Sequence, residues 1–189
     1  KFKAISEFIE KNSEGPIFIF GFTFIIWEYL VQPLLKNKSQ LNLKQGIILH
    51  GGGWKKLADQ AIDSFAFKET LKEVLRIEKV VNYYGMVEQT GSIYLECDYG
   101  NLHAPLFSDI IVRRSIDFSP ASHREEGIIE IMSILPLSYP GHALLTEDRG
   151  TILGEDDCPC GRLGKYFHVY GRLPQAEIRG CSDTHEKYT

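Results

Sequence analysis

The chain has 189 residues, 43% of them hydrophobic, with 11 Phe, 9 Tyr and a net charge of −4. That length and apolar content suffice for one sizeable core and argue against a disordered chain. The acidic balance, with no Lys/Arg stripe interleaved with aromatics, sets nucleic-acid binding aside.

In chain order, Ala4, Ile5, Phe8 and Ile9 recur at helical spacing, which predicts an amphipathic helix over the first dozen residues. Ile17-Phe18-Ile19-Phe20 follows Gly15-Pro16 as a short continuous apolar run, the pattern of a strand buried on both faces. Thr23 to Leu35 suits a helix with Pro33 near its end. The stretch from Pro16 to Leu35 is broken by Gly21, Glu28 and Pro33, whereas a membrane-spanning helix needs about 20 predominantly apolar residues, so no span is expected. Glu10 and Glu14 before the run, and the lack of a small-residue cleavage site, do not fit a signal peptide.

Gly46 to His50 reads as a second buried strand, ended by Gly51-Gly52-Gly53. Such glycines permit a sharp turn and close approach of a ligand, or form an ordinary tight turn. Asp63 or Ser64 can cap a helix over Phe67 to Ile77, whose apolar face is Phe67, Leu71, Val74 and Leu75. Val80 to Tyr83 is the third strand. This alternation over residues 1–90 predicts an α/β layer with parallel strands. Beyond residue 90, short strands at Ile93–Leu95, Ile110–Val112, Ile128–Ile134, Ala143–Leu145 and Phe167–Tyr170 predict a mainly β part over residues 91–189, either a small barrel or a sheet packed on the first part. The two are expected to form one continuous body.

Several short motifs carry chemistry. Tyr84-Gly85-Met86-Val87-Glu88 follows the third strand. A Tyr there offers a flat ring for a base, and Glu88 a hard oxygen ligand for Mg²⁺. The bland reading is a buried Tyr and a solvated Glu in a polar turn. Thr146-Glu147-Asp148 and Gly171-Arg172 add a second carboxylate and a cation, as an ATP site requires. Cys97 and His103 flank a turn, and Cys158-Pro159-Cys160 forms a short hook before Gly161. Together they supply either the four ligands of a closed, structural Zn²⁺ site or reduced, half-buried groups in two loops. Four cysteines without a secretory signal point to the cytoplasm. The start at Lys1, in what reads as mid-protein, leads us to expect a piece of a longer chain.

Taken in order, Gly51-Gly52, Tyr84-Gly85-x-x-Glu88, Thr146-x-Asp148 and Gly171-Arg172 resemble the later motifs of the acyl-adenylate-forming superfamily. The Cys97/His103 and Cys158/Cys160 hooks are similar to the phenylacetate–CoA ligase branch. Leu49-His50-Gly-Gly-Gly-Trp54-Lys55 and Ala176-Glu177-Ile178-Arg179-Gly180-Cys181-Ser182-Asp183 are similar to the acyl-protein synthetases, which activate fatty acids for a partner reductase. The resemblance runs from about Gly15 to Thr184 and implies the C-terminal part of the large domain of such enzymes.

It further implies that Gly51, Gly52, Tyr84 and Gly85 form the adenine side of an ATP site, Tyr84 stacking on the base. Glu88 would hold Mg²⁺, Asp148 the ribose hydroxyls, and Arg172 ribose or phosphate. Cys97, His103, Cys158 and Cys160 would hold Zn²⁺, and Cys181 would accept the acyl group before passing it to an acceptor protein. The superfamily's Ser/Thr/Gly-rich phosphate loop would lie before Lys1, and its C-terminal lid is not found. Gln175 stands where relatives usually carry a hinge Asp. The fragment alone is therefore expected to lack full adenylation activity. The competing readings are an aryl- or acyl-CoA ligase and a zinc-stabilised binding module without chemistry.

Overall fold

The computed structural model describes residues 2–12, 14–54 and 61–174. Its elements are α1 (Phe2–Lys11), β1 (Phe18–Phe22), α2 (Thr23–Ile26), a π-helical turn (Trp27–Val31), α3 (Gln32–Asn37), β2 (Ile47–Gly51), α4 (Ser64–Leu75) and β3 (Lys79–Tyr84). A 3₁₀ turn (Val87–Gln89) leads to β4 (Tyr94–Glu96), β5 (Leu102–His103), β6 (Ser108–Arg113), β7 (Gly127–Ser133), β8 (Ala143–Glu155) and β9 (Lys165–Arg172).

The helix predicted over Thr23–Leu35 forms, but as three consecutive segments. Pro33 sits in the first turn of α3, directly after the π-helical turn. A proline inside a helix lacks an N–H and crowds the carbonyl four residues back; a π turn locally relieves that register. Helix α4 starts where its cap predicts, with Asp63 Oδ1 accepting the Ala66 N–H at 2.8 Å. It ends at Arg76, which takes a left-handed conformation at φ 54°.

The nine strands among the described residues join one sheet in the order β1-β2-β3-β4-β5-β9-β8-β7-β6. Strands β1, β2 and β3 are parallel, as the strand–helix alternation predicts. From β3 onward every pairing is antiparallel. The later strands thus continue the first sheet edge to edge, neither packing on it as a second sheet nor forming a barrel apart from it. The joint is β4, which binds back antiparallel along β3 through Tyr83↔Leu95 and Tyr84↔Tyr94.

Two large apolar clusters and a smaller one of Cys97, Cys158 and Tyr166 fill the interior of the described residues. One holds Ile26, Leu30, Ile48, Phe67, Leu71 and Val80, between the helices and one face of β1–β3. The other holds Tyr94, Leu102, Ile110, Ile129, Ile131 and Phe167. The expectation that β1 is buried on both faces fails among the described residues: Phe18 is 63% and Phe20 62% exposed, because the helices cover only the opposite face.

Polar ties reach across the sheet. Lys68 of α4 meets the buried Glu96 of β4 at 2.8 Å, and the other hydrogen bond of Glu96 Oε2 comes from Asn82 N–H at 2.9 Å. Gln89, fully buried, donates from Nε2 to the Gly141 carbonyl at 2.9 Å and holds the 3₁₀ turn against the segment entering β8. Removing one partner of a buried pair strands the other charge. Lys68→Ala is therefore expected to destabilise the protein by about 3–5 kcal/mol, with Glu96→Gln in the same chain recovering part of the loss. Urea unfolding of the two variants checks this.

Candidate functional site

The carboxyl ends of β1–β3 carry the Gly-rich turn and the Tyr84 loop side by side. In register, Gly21 pairs with His50 and His50 with Asn82, while Phe22 pairs with Gly51 and Gly51 with Tyr83. A Cβ on Gly51 would lie 2.6 Å from the Tyr83 ring and 2.7 Å from its carbonyl oxygen, so only glycine fits. Gly52 turns the chain at φ +75°, a conformation that costs glycine little. Gly85 has its own constraint: a Cβ there would stand 3.0 Å from the Ser92 carbonyl.

Thr23 organises the turn. Its hydroxyl donates to the Gly51 carbonyl at 3.1 Å and lies 3.0 Å from His50 Nδ1. With its only proton committed to Gly51, Thr23 must accept from His50, so Nδ1 carries the imidazole hydrogen. Nε2 is then a bare lone pair, buried and without a hydrogen-bond partner among the described residues. Burial first, and Lys68 second, lower the His50 pKa to about 4, and Phe67 packs on the ring at 4.8 Å. Sequence reasoning singled out His50 only as a neighbour of the glycines; the Thr23 contact spans 27 positions and has no local signal.

The Tyr84 hydroxyl donates to Asp148 Oδ2 at 2.7 Å, joining residues 64 positions apart. Burial, then the Asp148 charge, push the Tyr84 pKa strongly upward, so the phenol stays protonated and serves as a donor. Its ring meets Phe167 edge-on and Tyr94 at a tilt; neither lies parallel to it. Asp148 is aimed by Thr146, whose hydroxyl donates to the Ile129 carbonyl at 2.8 Å and accepts the Asp148 N–H at 3.1 Å. Arg172, opposite Asp148 across β8 and β9, places Nε 4.0 Å from Asp148 Oδ1 and a terminal nitrogen 3.5 Å from Glu147. A register shift at Arg149/Gly150 and Gly171 at φ +112° bend the ladder there, as bulges beside sites do.

Of the predicted nucleotide residues, the structure thus brings Tyr84, Asp148 and Arg172 together, with Gly51, Gly52 and Gly85 at adjoining strand ends. Glu88 is exposed on the 3₁₀ turn and is not hydrogen-bonded to the Tyr84–Asp148 pair. Cys181, Lys55 and Gln175 lie outside the described residues. A cavity of about 160 Å³ opens beside Lys68 and Glu96, bordered by Lys72, Glu78, Cys97 and Asp98. It contains none of the nucleotide residues and mixes charges of both signs, so it has no part in the site.

The second constellation is compact. Ligand atoms of Cys97, His103, Cys158 and Cys160 all lie within 4.8 Å of one another. Cys97 Sγ and Cys158 Sγ are 4.0 Å apart, and Cys160 Sγ is 3.4 Å from His103 Nε2. Tetrahedral zinc with bonds near 2.3 Å to sulfur sets neighbouring ligands about 3.8 Å apart, and the donor set fits that ion. Gly100 at φ +78° and Gly161 at φ +79° let each hook close. Asn101 Nδ2 donates to Cys158 Sγ, the Arg162 N–H to Cys160 Sγ, and Tyr166 stacks on His103 at 5.7 Å. Among the described residues all three cysteines are free.

Residues 2–189 match the family described as acyl-protein synthetase, LuxE. The chain belongs to that family. It is 26% identical over 141 residues to the long-chain-fatty-acid–luciferin-component ligase of Vibrio harveyi, covering 71% of this chain and 35% of that protein. It is 24% identical over 180 residues to the ligase of the same name from Aliivibrio fischeri, covering 91% and 46%. The chain therefore spans less than half the length of these curated relatives. Among solved structures, a long-chain-fatty-acid–CoA ligase from Archaeoglobus fulgidus superimposes with TM-score 0.62 at 16% identity, over 92% of this chain and 37% of that one. A 2-hydroxyisobutyryl-CoA ligase in complex with 2-HIB-AMP and CoA gives 0.73 at 14%, over 92% and 37%. These likenesses establish the α/β fold that the chain shares with those structures. No described helix is long and apolar enough to cross a membrane.

His50 titrates below its ordinary 6.5 in the folded state, so the folded protein binds fewer protons than the unfolded chain between about pH 4 and 6.5. Its contribution to stability is complete above pH 6.5 and is lost as the pH falls toward about 4. The loss is at most about 3 kcal/mol. Urea midpoints measured from pH 7 to 4.5 should fall, and His50→Asn should flatten that part of the profile.

Proposed function

We propose that this chain is the C-terminal part of an ATP-dependent acyl-protein synthetase, a cytoplasmic fatty acid–protein ligase. The observation that carries the reading is the 2.7 Å hydrogen bond between Tyr84 and Asp148, which unites two motif positions 64 residues apart. Support comes from membership of the acyl-protein synthetase family and from the adenylate-forming fold of its structural neighbours.

In this reading the purine lies against the Tyr84 ring, over the backbone of Gly51, Gly52 and Gly85. Asp148 accepts from the ribose hydroxyls through lone pairs that Tyr84 does not use, and Arg172 adds positive charge beside ribose or phosphate. Glu88 offers one hard carboxylate oxygen to Mg²⁺, which when bound offsets phosphate charge. A carboxylate oxygen of the fatty acid attacks the α-phosphorus and pyrophosphate leaves, giving an acyl-adenylate. The Cys181 thiolate then attacks the acyl carbon; AMP leaves and a thioester forms, ready for transfer to an acceptor protein. Cys97, His103, Cys158 and Cys160 would hold a structural Zn²⁺, which when bound ties the β4–β5 turn to the β8–β9 turn.

The test uses the full-length protein and fatty-acid-dependent exchange of pyrophosphate into ATP. Asp148→Ala, which removes a charge-assisted acceptor, should slow exchange about 10–100-fold. Cys181→Ser should leave exchange unchanged and abolish covalent labelling by radioactive fatty acid. Absence of carboxylate-dependent exchange in the unmodified protein overturns the reading, and labelling that survives Cys181→Ser overturns the role of that thiol. Metal content is checked separately: protein purified without chelator should hold about one equivalent of zinc, and Cys158→Ser should lose it and lower the melting temperature.

A further inference from the structure

A metal-ligating histidine usually donates its second ring N–H to a carboxylate or carbonyl, which fixes the ring and strengthens the ligand. His103 lacks that support. With Nε2 facing Cys160 at 3.4 Å, its Nδ1 is buried and has no hydrogen-bond partner among the described residues. Packing orients the ring instead, through the stack with Tyr166 at 5.7 Å. Hydrogen bonding around this cluster therefore falls on the sulfurs.

Asn101 serves both hooks at once. It is buried, and its backbone carbonyl accepts the Cys97 N–H at 2.8 Å. Its side-chain Nδ2 donates to Cys158 Sγ at 3.5 Å, so one residue is bonded to two ligands that lie 61 positions apart. The other end of the amide is occupied as well, with Oδ1 3.0 Å from His168 Nε2 on β9. A metal-bound thiolate only accepts, so the NH₂ end must face the sulfur. The amide oxygen then accepts from His168 Nε2–H. Cys160 has a donor of its own in the Arg162 N–H, but that backbone group comes with almost any residue.

We infer that Asn101 is a positioning residue that presets the Cys/His cluster for zinc: its amide donates to the Cys158 thiolate while His168 holds that amide from behind. An N–H aimed at a thiolate stabilises the deprotonated form that the metal requires. The tie to His168 keeps this N–H from swinging away, and it anchors the two hooks to the strand that carries Gly171 and Arg172. The inference rests on the reading of the cluster as a zinc site. It does not depend on ATP being the ligand.

Zinc competition against a chromophoric chelator, on the full-length protein at neutral pH, tests it. Asn101→Leu keeps the shape of the side chain without its hydrogen bonds. Asn101→Asp keeps an acceptor for His168 and loses the donor. Both variants should bind zinc about 10–100-fold more weakly than the unsubstituted protein. With cobalt in place of zinc, the sulfur-to-metal charge-transfer band should move to lower energy in both, because a thiolate without the N–H gives up charge more easily. Unchanged zinc affinity in Asn101→Asp overturns the inference, as does a cobalt band that stays in place. Weakening confined to Asn101→Leu also overturns it, because the effect then belongs to the His168 tie alone. An unsubstituted protein that binds no zinc overturns the zinc reading and this inference with it.

Discussion

A half-buried phenol donating to a carboxylate holds the site together. The Tyr84–Asp148 bond connects the last parallel strand to β8, and its geometry is imposed from both sides. From one side, the packing of Tyr84 against Tyr94 and Phe167 sets the direction of its hydroxyl. From the other, Thr146 clamps the backbone of Asp148, and the bulge opposite Gly171 tilts the strand. A charged acceptor makes such a bond stronger than a neutral one, and partial burial keeps water from competing for it.

Two further ties secure the same junction at other points. The Lys68–Glu96 pair links α4 to β4 and caps the Asn82 amide. The Cys/His cluster sits where the β4–β5 turn meets the β8–β9 turn, both of which are loops without a helix to brace them. Short antiparallel strands such as the two-residue β5 contribute little ladder of their own. Side chains that bind across the turns are therefore what fix the β-rich strands against the parallel ones, and with them the distance from Tyr84 to Asp148.

The Gly-rich turn obeys a different constraint, that of space. Tyr83 fills the volume a Gly51 side chain would need, while Thr23 and His50 lock the carbonyl that precedes the turn. The outer surface of β1–β3 follows the same logic in reverse: its side chains are apolar enough for a core, yet Phe18, Phe20 and Ile47 are exposed.

Local chemistry sufficed to read the parallel strands, the capped helix α4, the glycine turn and the two metal-type hooks, because periodicity, caps and Cys/His spacing act over a few residues. The order of residues along the chain, together with the family resemblance, also nominated Tyr84, Asp148 and Arg172. What only the folded chain decided were contacts between distant positions: Tyr84 with Asp148, Lys68 with Glu96, Thr23 with His50, and the continuation of one sheet through β4 instead of a separate sheet or barrel. The physical reason is that strand pairing carries no signature in either partner alone. Hydrogen bonds between backbones are the same for every sequence, and the choice of neighbour follows from how all the side chains pack at once.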